Sequence, residues 1–313
     1  MNKLNLIVLI FLISCVMAYI FFGNNANDIN NPQNTQNESL AMKGSDTEVQ
    51  LVSNLAEAFT VKNSNADISV TGGGSGVGIA ALINGEIDLA NSSRAMKQDE
   101  ISQSANRGLD VQEFILAIDG LTVITHSENP INQLSIDQLG KIYKGEIKNW
   151  KEVGGNDTPI VLYGRQSTSG TYNFFRDSVV NSDYSSEMKT MEGNQAIVEA
   201  VKQDTNGIGY VGVGYAKNDK GEPRQDIKII LLHGVGEPPV SPLDELAVKD
   251  GRYPIARPIF QYIPRLPLKN SILERYLQFE ASNEGQIIIE NAGFYSLNDE
   301  YRNKNQQLFN KIK

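Results

Sequence analysis

The stretch Arg165-Gln166-Ser167-Thr168-Ser169-Gly170-Thr171 places an arginine and a series of hydroxyl side chains between the apolar run 160–163 and a helical pattern that begins at Tyr172. Two other segments have the same character, Gly44-Ser45-Asp46-Thr47 and Gly72-Gly73-Gly74-Ser75-Gly76. Where a helix begins, its first N–H groups lack internal partners and the aligned peptide dipoles make that end partly positive, so such a turn is a ready anion site. Because only Arg165 adds a full positive charge, the segments suit a small dehydrated oxyanion better than a nucleotide.

Strand and helix patterns alternate along the rest of the chain. Apolar residues from Val49 to Phe59 recur at three- and four-residue spacing and predict a helix, at whose start Ser45 and Glu48 have the spacing of a capping box. Short apolar, β-rich runs predict strands at 42–44, 68–71, 87–90, 114–118, 121–125, 160–163 and 208–213. This alternation predicts α/β layers with a largely parallel sheet, in which ligands bind beyond the carboxyl ends of the strands.

Composition narrows the classes of function. The chain has 313 residues, enough for two domains after a targeting segment is removed, and its formal net charge of −9 argues against nucleic acid as a partner. Two histidines and a single cysteine leave no recognisable zinc site or disulfide framework, and no metal or cofactor is expected. A serine hydrolase acting through Ser75 or Ser169 would need a base beside the nucleophile, and neither histidine falls in a recognisable motif, so we expect no enzyme.

Residues 1–23 are predicted to be a signal or membrane anchor. Leu4 to Phe22 are almost wholly apolar, a length that can just span a bilayer. Leu12-Ile13-Ser14-Cys15 fits a bacterial lipobox in which Cys15 would be lipidated, whereas the apolar residues 16–22 favour an uncleaved anchor, and both alternatives stay open. Residues 24–40 are rich in Asn, Gln, Asp and Pro and are predicted to be a disordered linker.

Several segments resemble, in their joint order and spacing, those of a known family. They are Gly44 to Thr47, Gly72 to Gly76, Asn91-Ser92-Ser93-Arg94, Ile142 to Trp150, Arg165 to Thr171, Gly207 to Val211 and Glu284-Gly285-Gln286. Over nearly all of residues 42–297 the chain resembles the phosphate-binding proteins of phosphate ABC importers (PstS-type), which belong to the type II periplasmic-binding-protein class.

The resemblance implies an α/β fold of two lobes with the ligand in the cleft between them. Lobe 1 is expected from residues 41–123 plus 257–313, and lobe 2 from residues 124–256. The resemblance also implies an extracytoplasmic monomer, tethered to the outer face of the cytoplasmic membrane by an N-terminal helix or a lipidated Cys15. Such a protein captures inorganic phosphate and delivers it to the permease and ATPase subunits of an importer.

Ligand-binding roles follow from the same resemblance. The implied phosphate contacts are the Thr47 hydroxyl with the Glu48 amide, Ser75 with the Gly76 amide, Arg165, and the triplet Ser169, Gly170 and Thr171. Some members carry an aspartate after the strand 87–90 that accepts the proton of hydrogen phosphate. Here that position holds Ser93, followed by Arg94, which is either a second cleft cation or part of a structural ion pair. We expect Asp119, in a loop between two apolar strands, to face the anion as the proton acceptor instead.

Two functional alternatives stay open within this fold. A binder of sulfate or molybdate would need donors only, because those anions carry no proton at neutral pH, whereas a carboxylate facing the ligand would favour phosphate. A phosphate sensor that has lost transport would keep the same residues.

Overall fold

The computed structural model describes residues 37–218 and 220–312. The predicted anchor over residues 1–23 and most of the predicted linker lie outside this range. Within it, no helix combines the length and the apolar character needed to cross a membrane. The first strand begins at Glu38, inside the range 24–40 predicted as a linker, so that prediction is wrong at its C-terminal end. The physical reason is Leu40, whose side chain is buried in the core and draws the chain into the sheet.

Five strands, numbered in chain order, form the first sheet. They are β1 (Glu38–Gly44), β2 (Ala66–Thr71), β3 (Leu89–Ser92), β4 (Gln112–Gly120) and β12 (Ala256–Ile263). Their order across the sheet is β2-β1-β3-β12-β4. β1 and β3 run parallel, whereas β12 runs antiparallel to both β3 and β4.

Five further strands form the second sheet. They are β5 (Thr122–His126), β7 (Val161–Arg165), β8 (Lys189–Met191), β9 (Gly207–Val211) and β10 (Ile227–Ile229), in the order β10-β5-β9-β7-β8. β7 runs parallel to β8 and β9, and β5 runs antiparallel to β9 and β10. A short parallel pair, β6 (Gln133–Ser135) and β11 (Leu231–His233), completes the strands described.

The prediction of a largely parallel sheet is therefore wrong, because both sheets are mixed. The cause is the connection between them. The chain passes from β4 to β5 through Leu121 alone, without a crossover helix, and returns through β12. β5 runs antiparallel to β9 in the second sheet, and β12 runs antiparallel to β3 and β4 in the first. In this return, Arg257 of β12 lies opposite Asp119 of β4.

Helices flank the two sheets. They are α1 (Val49–Lys62), α2 (Ser75–Asn84), α3 (Gln98–Asn106), α4 (Ile136–Lys144), α5 (Gly170–Phe175), α6 (Gly193–Gln203), α7 (Glu245–Lys249), α8 (Ile272–Ala281), α9 (Asn283–Asn291) and α10 (Asp299–Lys311). The capping box predicted from Ser45 and Glu48 is absent: α1 begins at Val49 without a side-chain cap. A turn over residues 46–48 leaves Glu48 in helical geometry, and its carboxyl group is buried without a hydrogen-bond partner among the described residues.

Three strand-to-helix turns place the glycine- and hydroxyl-rich segments at the carboxyl ends of strands. The segment after β1 precedes α1, the segment after β2 precedes α2, and the segment after β7 precedes α5. The first two belong to the first sheet and the third to the second sheet. We call the parts of the chain built on the first and second sheets the first and second halves. Contacts among these turns therefore join the two halves of the molecule.

Candidate anion-binding site

Four hydroxyl groups, from segments that follow β1, β2, β3 and β7, lie close together. Thr47 Oγ1 lies 2.7 Å from Thr171 Oγ1, Ser93 Oγ lies 3.3 Å from Thr171 Oγ1, and Ser75 Oγ lies 3.3 Å from Ser93 Oγ. All four side chains are at most 2% exposed. Hydroxyls can donate or accept, so this buried cluster can rearrange its hydrogen bonds around an anion without leaving a group unsatisfied.

Arg165, the last residue of β7, supplies a buried positive charge beside this cluster. Its side chain is 1% exposed and forms an ion pair with Asp46, the residue before Thr47. Nε donates to Gln166 Oε1 at 3.3 Å, whereas Nη1 has no hydrogen-bond partner among the described residues. Burial lowers the pKa of Arg165, and Asp46 opposes that shift. A buried guanidinium nitrogen without an acceptor is costly, and an oxyanion would satisfy it.

A second arginine, Arg257, was not among the residues predicted for the site. Its Nε and Nη2 donate to Asp119 Oδ2 at 3.0 and 2.8 Å, and both side chains are at most 2% exposed. Nη2 also donates to Thr171 Oγ1 at 3.0 Å, and Nη1 donates to the Ser93 carbonyl at 2.9 Å. Arg257 thus connects the hydroxyl cluster to a buried carboxylate.

Asp119 occupies the penultimate position of β4, so its predicted placement in a loop is wrong. The apolar pattern on both sides of Asp119 and Gly120 continues as strand because β12 pairs with β4 through this region. Asp119 Oδ1 accepts a hydrogen bond from the Val213 amide at 2.9 Å. A Cβ built on Gly212 would lie 2.6 Å from Thr47 Cγ2 and 3.5 Å from Asp119 Oδ1, so the carboxylate and Thr47 flank the same glycine.

Two backbone amides implied as anion donors have carbonyl acceptors in this structure. The Glu48 amide donates to the Ser45 carbonyl at 3.2 Å, and the Gly76 amide donates to the Thr168 carbonyl at 3.0 Å. The second bond joins α2 of the first half to the loop before α5 of the second half. Both donors already point at acceptor oxygens, which an anion could replace.

The triplet Ser169, Gly170 and Thr171 opens α5. Ser169 is its N-cap, and its Oγ accepts a hydrogen bond from the Tyr172 amide at 3.3 Å. A Cβ on Gly170 would lie 2.3 Å from Ser75 Oγ and 2.7 Å from Ser93 Oγ. A glycine at this position therefore lets α5 approach the two serines.

Arg94 has a carboxylate partner of its own. Its Nη2 and Nη1 donate to the two oxygens of Glu100 at 2.6 and 2.7 Å, and Nη1 also donates to the Ala95 carbonyl. Nε is buried and has no partner among the described residues. Of the two roles left open by the sequence, the geometry favours the structural ion pair.

Asn194 and Tyr215 also contact the predicted residues and were missed. Asn194, on the first turn of α6, donates from Nδ2 to Thr47 Oγ1 at 3.4 Å and accepts from the Gly212 amide at 3.1 Å. Tyr215 Oη donates to the Asp46 carbonyl at 2.8 Å. The position of Asn194 at a helix start after β8 is a signal of the same kind as the three segments already used. Tyr215 has no such signal.

The site as a whole offers hydroxyls, guanidinium groups and helix N-termini. In residues 37–218 and 220–312, no group of three His, Cys, Asp or Glu side chains is placed to hold a metal ion. His126 Nδ1 accepts from the Glu128 amide, and His233 Nδ1 lies 2.9 Å from the Gly234 carbonyl, so each ring is engaged locally rather than with Ser75 or Ser169. The arrangement suits binding of a small anion.

Comparisons with known proteins agree with this chemistry. Residues 30–284 match the family described as "PBP superfamily domain". The chain is 32% identical to the phosphate-binding protein PstS of Staphylococcus haemolyticus over 256 residues, which cover 80% of this chain and 79% of that relative. It is 29% identical to the protein SphX of Synechococcus elongatus over 261 residues, covering 81% and 76% of the two chains.

The chain is also similar to solved structures of phosphate-transport proteins. A putative phosphate ABC transporter substrate-binding protein from Clostridium perfringens, with bound phosphate, superimposes with a TM-score of 0.73 at 27% identity, covering 83% of this chain and all of the other (100%). An ABC-type phosphate transport receptor from Vibrio cholerae superimposes with a TM-score of 0.65 at 25% identity, covering 82% and 99%.

Proposed function

Because the chain belongs to the PBP superfamily and, within it, to the PstS-type phosphate-binding proteins, we propose that it captures inorganic phosphate outside the cytoplasmic membrane and delivers it to an ABC importer. Support comes from relatives named as phosphate-binding proteins and from a similar structure that holds phosphate. The protein would bind and release its ligand without chemistry.

The observation that carries the proposal is the unpartnered Nη1 of Arg165 beside four buried hydroxyls. A dehydrated anion needs a buried countercharge and several short hydrogen bonds, since it gives up its water on entry. Arg165 offers the countercharge, and the cluster of Thr47, Ser75, Ser93 and Thr171 offers the hydrogen bonds.

We assign the ligand contacts to both halves of the molecule. They are the predicted set Thr47, Glu48, Ser75, Gly76, Ser93, Asp119, Arg165, Ser169, Gly170 and Thr171, with Arg94 at the edge and Arg257 added. The Glu48 and Gly76 amides would exchange their present carbonyl acceptors for the anion. Arg257 would hold Thr171 and Asp119 in place, with Asp119 accepting the proton of hydrogen phosphate.

The lobe boundaries and the membrane tether also belong to the proposal. Lobe 1 would comprise residues 41–123 plus 257–313 and lobe 2 residues 124–256. The two sheets support this division with shifts of a few residues, since β1 begins at Glu38, β5 of the second sheet at Thr122 and β12 of the first sheet at Ala256. An uncleaved helix over residues 1–23 or a lipid on Cys15 would hold the protein, as a monomer, at the outer face of the membrane. There it would meet the permease of an importer that ATPase subunits drive from the other side.

Calorimetry with four anions tests the function directly. We expect phosphate and its analogue arsenate to bind one to one, and sulfate and molybdate to bind much more weakly, because they bring no proton to Asp119. Preferred binding of sulfate or molybdate would make the protein a binder of that oxyanion. Absence of binding by all four would refute the proposal.

Replacing Arg165 with alanine tests the site. Loss of the buried countercharge should weaken phosphate binding by roughly 2–5 kcal/mol, while the melting temperature without ligand changes little. Arg176→Ala is the matched control, since that arginine pairs with Asp177 on the surface of the same segment. Unchanged phosphate affinity in Arg165→Ala would remove this residue from the site.

A further inference from the structure

Glu48 directly follows Thr47, and its carboxyl group makes no hydrogen bond among the described residues. Its side chain is 0% exposed, and neither carboxyl oxygen has a hydrogen-bond partner among the described residues. Its backbone is the N-cap of α1, the helix start that also positions Thr47. The buried carboxyl group lies within electrostatic reach of Arg257 and Asp119, and Arg257 donates to Thr171 of the hydroxyl cluster.

The ion pairs around the hydroxyl cluster leave Glu48 without a charged partner. The ion pairs are Arg165 with Asp46, Arg257 with Asp119, and Arg94 with Glu100. Glu48 makes no ion pair within residues 37–218 and 220–312. An isolated ionised carboxylate is very costly in a protein interior, so such a group takes up a proton unless a countercharge arrives.

Four groups from different parts of the chain affect the pKa of Glu48. The Ser45 hydroxyl, near the carboxyl group but not in a hydrogen bond of normal geometry, and the Arg257 guanidinium on β12 favour the charged form. Asp119 on β4 and Glu280 on α8 oppose it, and burial opposes it most, so the pKa of Glu48 is raised well above its ordinary value. An oxyanion at Thr47 would add a further negative charge, which would raise the pKa of Glu48 as Asp119 and Glu280 do.

We propose that Glu48 is a proton-linked determinant of anion affinity, held as a neutral acid whenever the site is occupied. Binding then takes up a proton to the extent that Glu48 is ionised in the free protein. Raising the pH ionises Glu48 in the free protein, and each binding event must first restore the proton, so affinity falls as pH rises. The inference rests on the proposed function, because it requires an oxyanion at Thr47.

Phosphate calorimetry from pH 6.5 to 9 on the wild type, Glu48→Gln and Glu57→Gln tests this linkage. Ionisation of phosphate itself affects all three proteins equally and cancels in the ratio of their Kd values. We expect the Kd of the wild type relative to Glu48→Gln to rise at least about fivefold across the range, within the limit of tenfold per pH unit set by one proton. Glu57→Gln, at an exposed position of the same helix α1, should follow the wild type.

The number of protons taken up on binding is a second readout, and it does not depend on comparing Kd values. At pH 9 free phosphate is already the dianion, so heats measured in buffers of different ionisation enthalpy report protons taken up by the protein. The wild type should take up part of a proton that Glu48→Gln, or Glu48→Met if the glutamine variant is unstable, does not.

The outcomes separate the two proposals. Parallel pH profiles for wild type and Glu48→Gln, or no difference in proton uptake, would overturn the role of Glu48 while leaving phosphate binding intact. Absence of phosphate binding by the wild type at every pH would overturn the proposed function, and the linkage with it.

Discussion

The charge of Asp119 is the single-residue feature with the largest expected effect on the choice of anion. Oδ2 accepts two hydrogen bonds from Arg257, whereas Oδ1 accepts one, from the Val213 amide. Since a carboxylate oxygen has two lone pairs, Oδ1 keeps capacity for one more donor, which hydrogen phosphate has and sulfate lacks.

Asp119→Asn keeps the shape of the side chain and removes its charge. Phosphate binding should weaken, and the preference for phosphate over sulfate should shrink by roughly 1–3 kcal/mol, the scale of one charged hydrogen bond. Competition calorimetry with both anions measures this. Asp226→Asn is the control, because Asp226 pairs with Arg224 away from the cluster. If both affinities stay as they were, the proton acceptor lies elsewhere, with Ser93 the next residue to test.

At the scale of secondary-structure elements, the short helix α5 approaches Ser75 and Ser93 closely because residue 170 is a glycine. Gly170→Ala would place a methyl group within 2.3 Å of Ser75 Oγ, closer than real contacts allow. The hydroxyls could then no longer converge, and phosphate affinity should fall at least about tenfold, equal to 1.4 kcal/mol. Ser167→Ala, an exposed position in the same loop, is the control. Equal affinities of the two variants would show that α5 need not approach so closely.

Helix α8 contributes a pH-dependent term to stability through Glu280. Glu280 is fully buried, one oxygen accepts from Gln261 Nε2 at 2.9 Å, and burial raises its pKa to about 8 from 4.5. The unfolded chain loses this proton near pH 4.5 and the folded chain near pH 8, so the folded state binds more protons in between. Stability therefore falls as pH rises through this window.

Glu280→Gln should flatten that fall. Between pH 5 and pH 8 the wild type should lose roughly 2–4 kcal/mol of unfolding free energy more than the variant does. Urea unfolding at the two pH values measures the difference, with Glu290→Gln, an exposed glutamate on α9, as the control. Equal pH dependence in Glu280→Gln and wild type would mean that Glu280 is ionised in the folded protein.

Local patterns predicted most elements well because turn chemistry and apolar spacing are properties of short segments. The two-lobed α/β fold class is confirmed by the likeness to solved phosphate-binding proteins. Long-range pairing was not predictable in the same way. Arg257 pairs with Asp119, 138 residues earlier in the chain, so neither the strand position of Asp119 nor the role of Arg257 has a local signal. The first sheet is mixed because of the same return of β12, and the second because β5 runs antiparallel to β9 and β10.

The molecule as a whole is acidic, with a formal net charge of −9, and its long-range field repels the anion it is proposed to bind. Affinity must therefore come from donors that act at contact distance. Those donors lie on both halves: Thr47, Ser75 and Ser93 belong to the first, and Arg165 and Thr171 to the second. A complete site requires both halves to be close together.

Contacts between the halves are polar at the site, which makes their separation reversible. Asp46 with Arg165, Thr47 with Thr171, the Gly76 amide with the Thr168 carbonyl, and Tyr215 with the Asp46 carbonyl all join the two sides. Water can satisfy each of these groups when the halves part, whereas a buried apolar interface would resist opening. We therefore expect an open state without ligand and a closed state, resembling this structure, with phosphate.

Small-angle scattering with and without phosphate tests this closure. Saturating phosphate should reduce the radius of gyration, because a shared site favours the closed state by the difference in its affinity for the two states. Arg165→Ala at the same phosphate concentration is the control and should stay open, since the second half then lacks its charged contact. Sulfate, without a proton for Asp119, should compact the protein less. Identical curves with and without phosphate, at concentrations where calorimetry shows saturation, would mean that the halves are already closed in the free protein or that one half holds the anion alone.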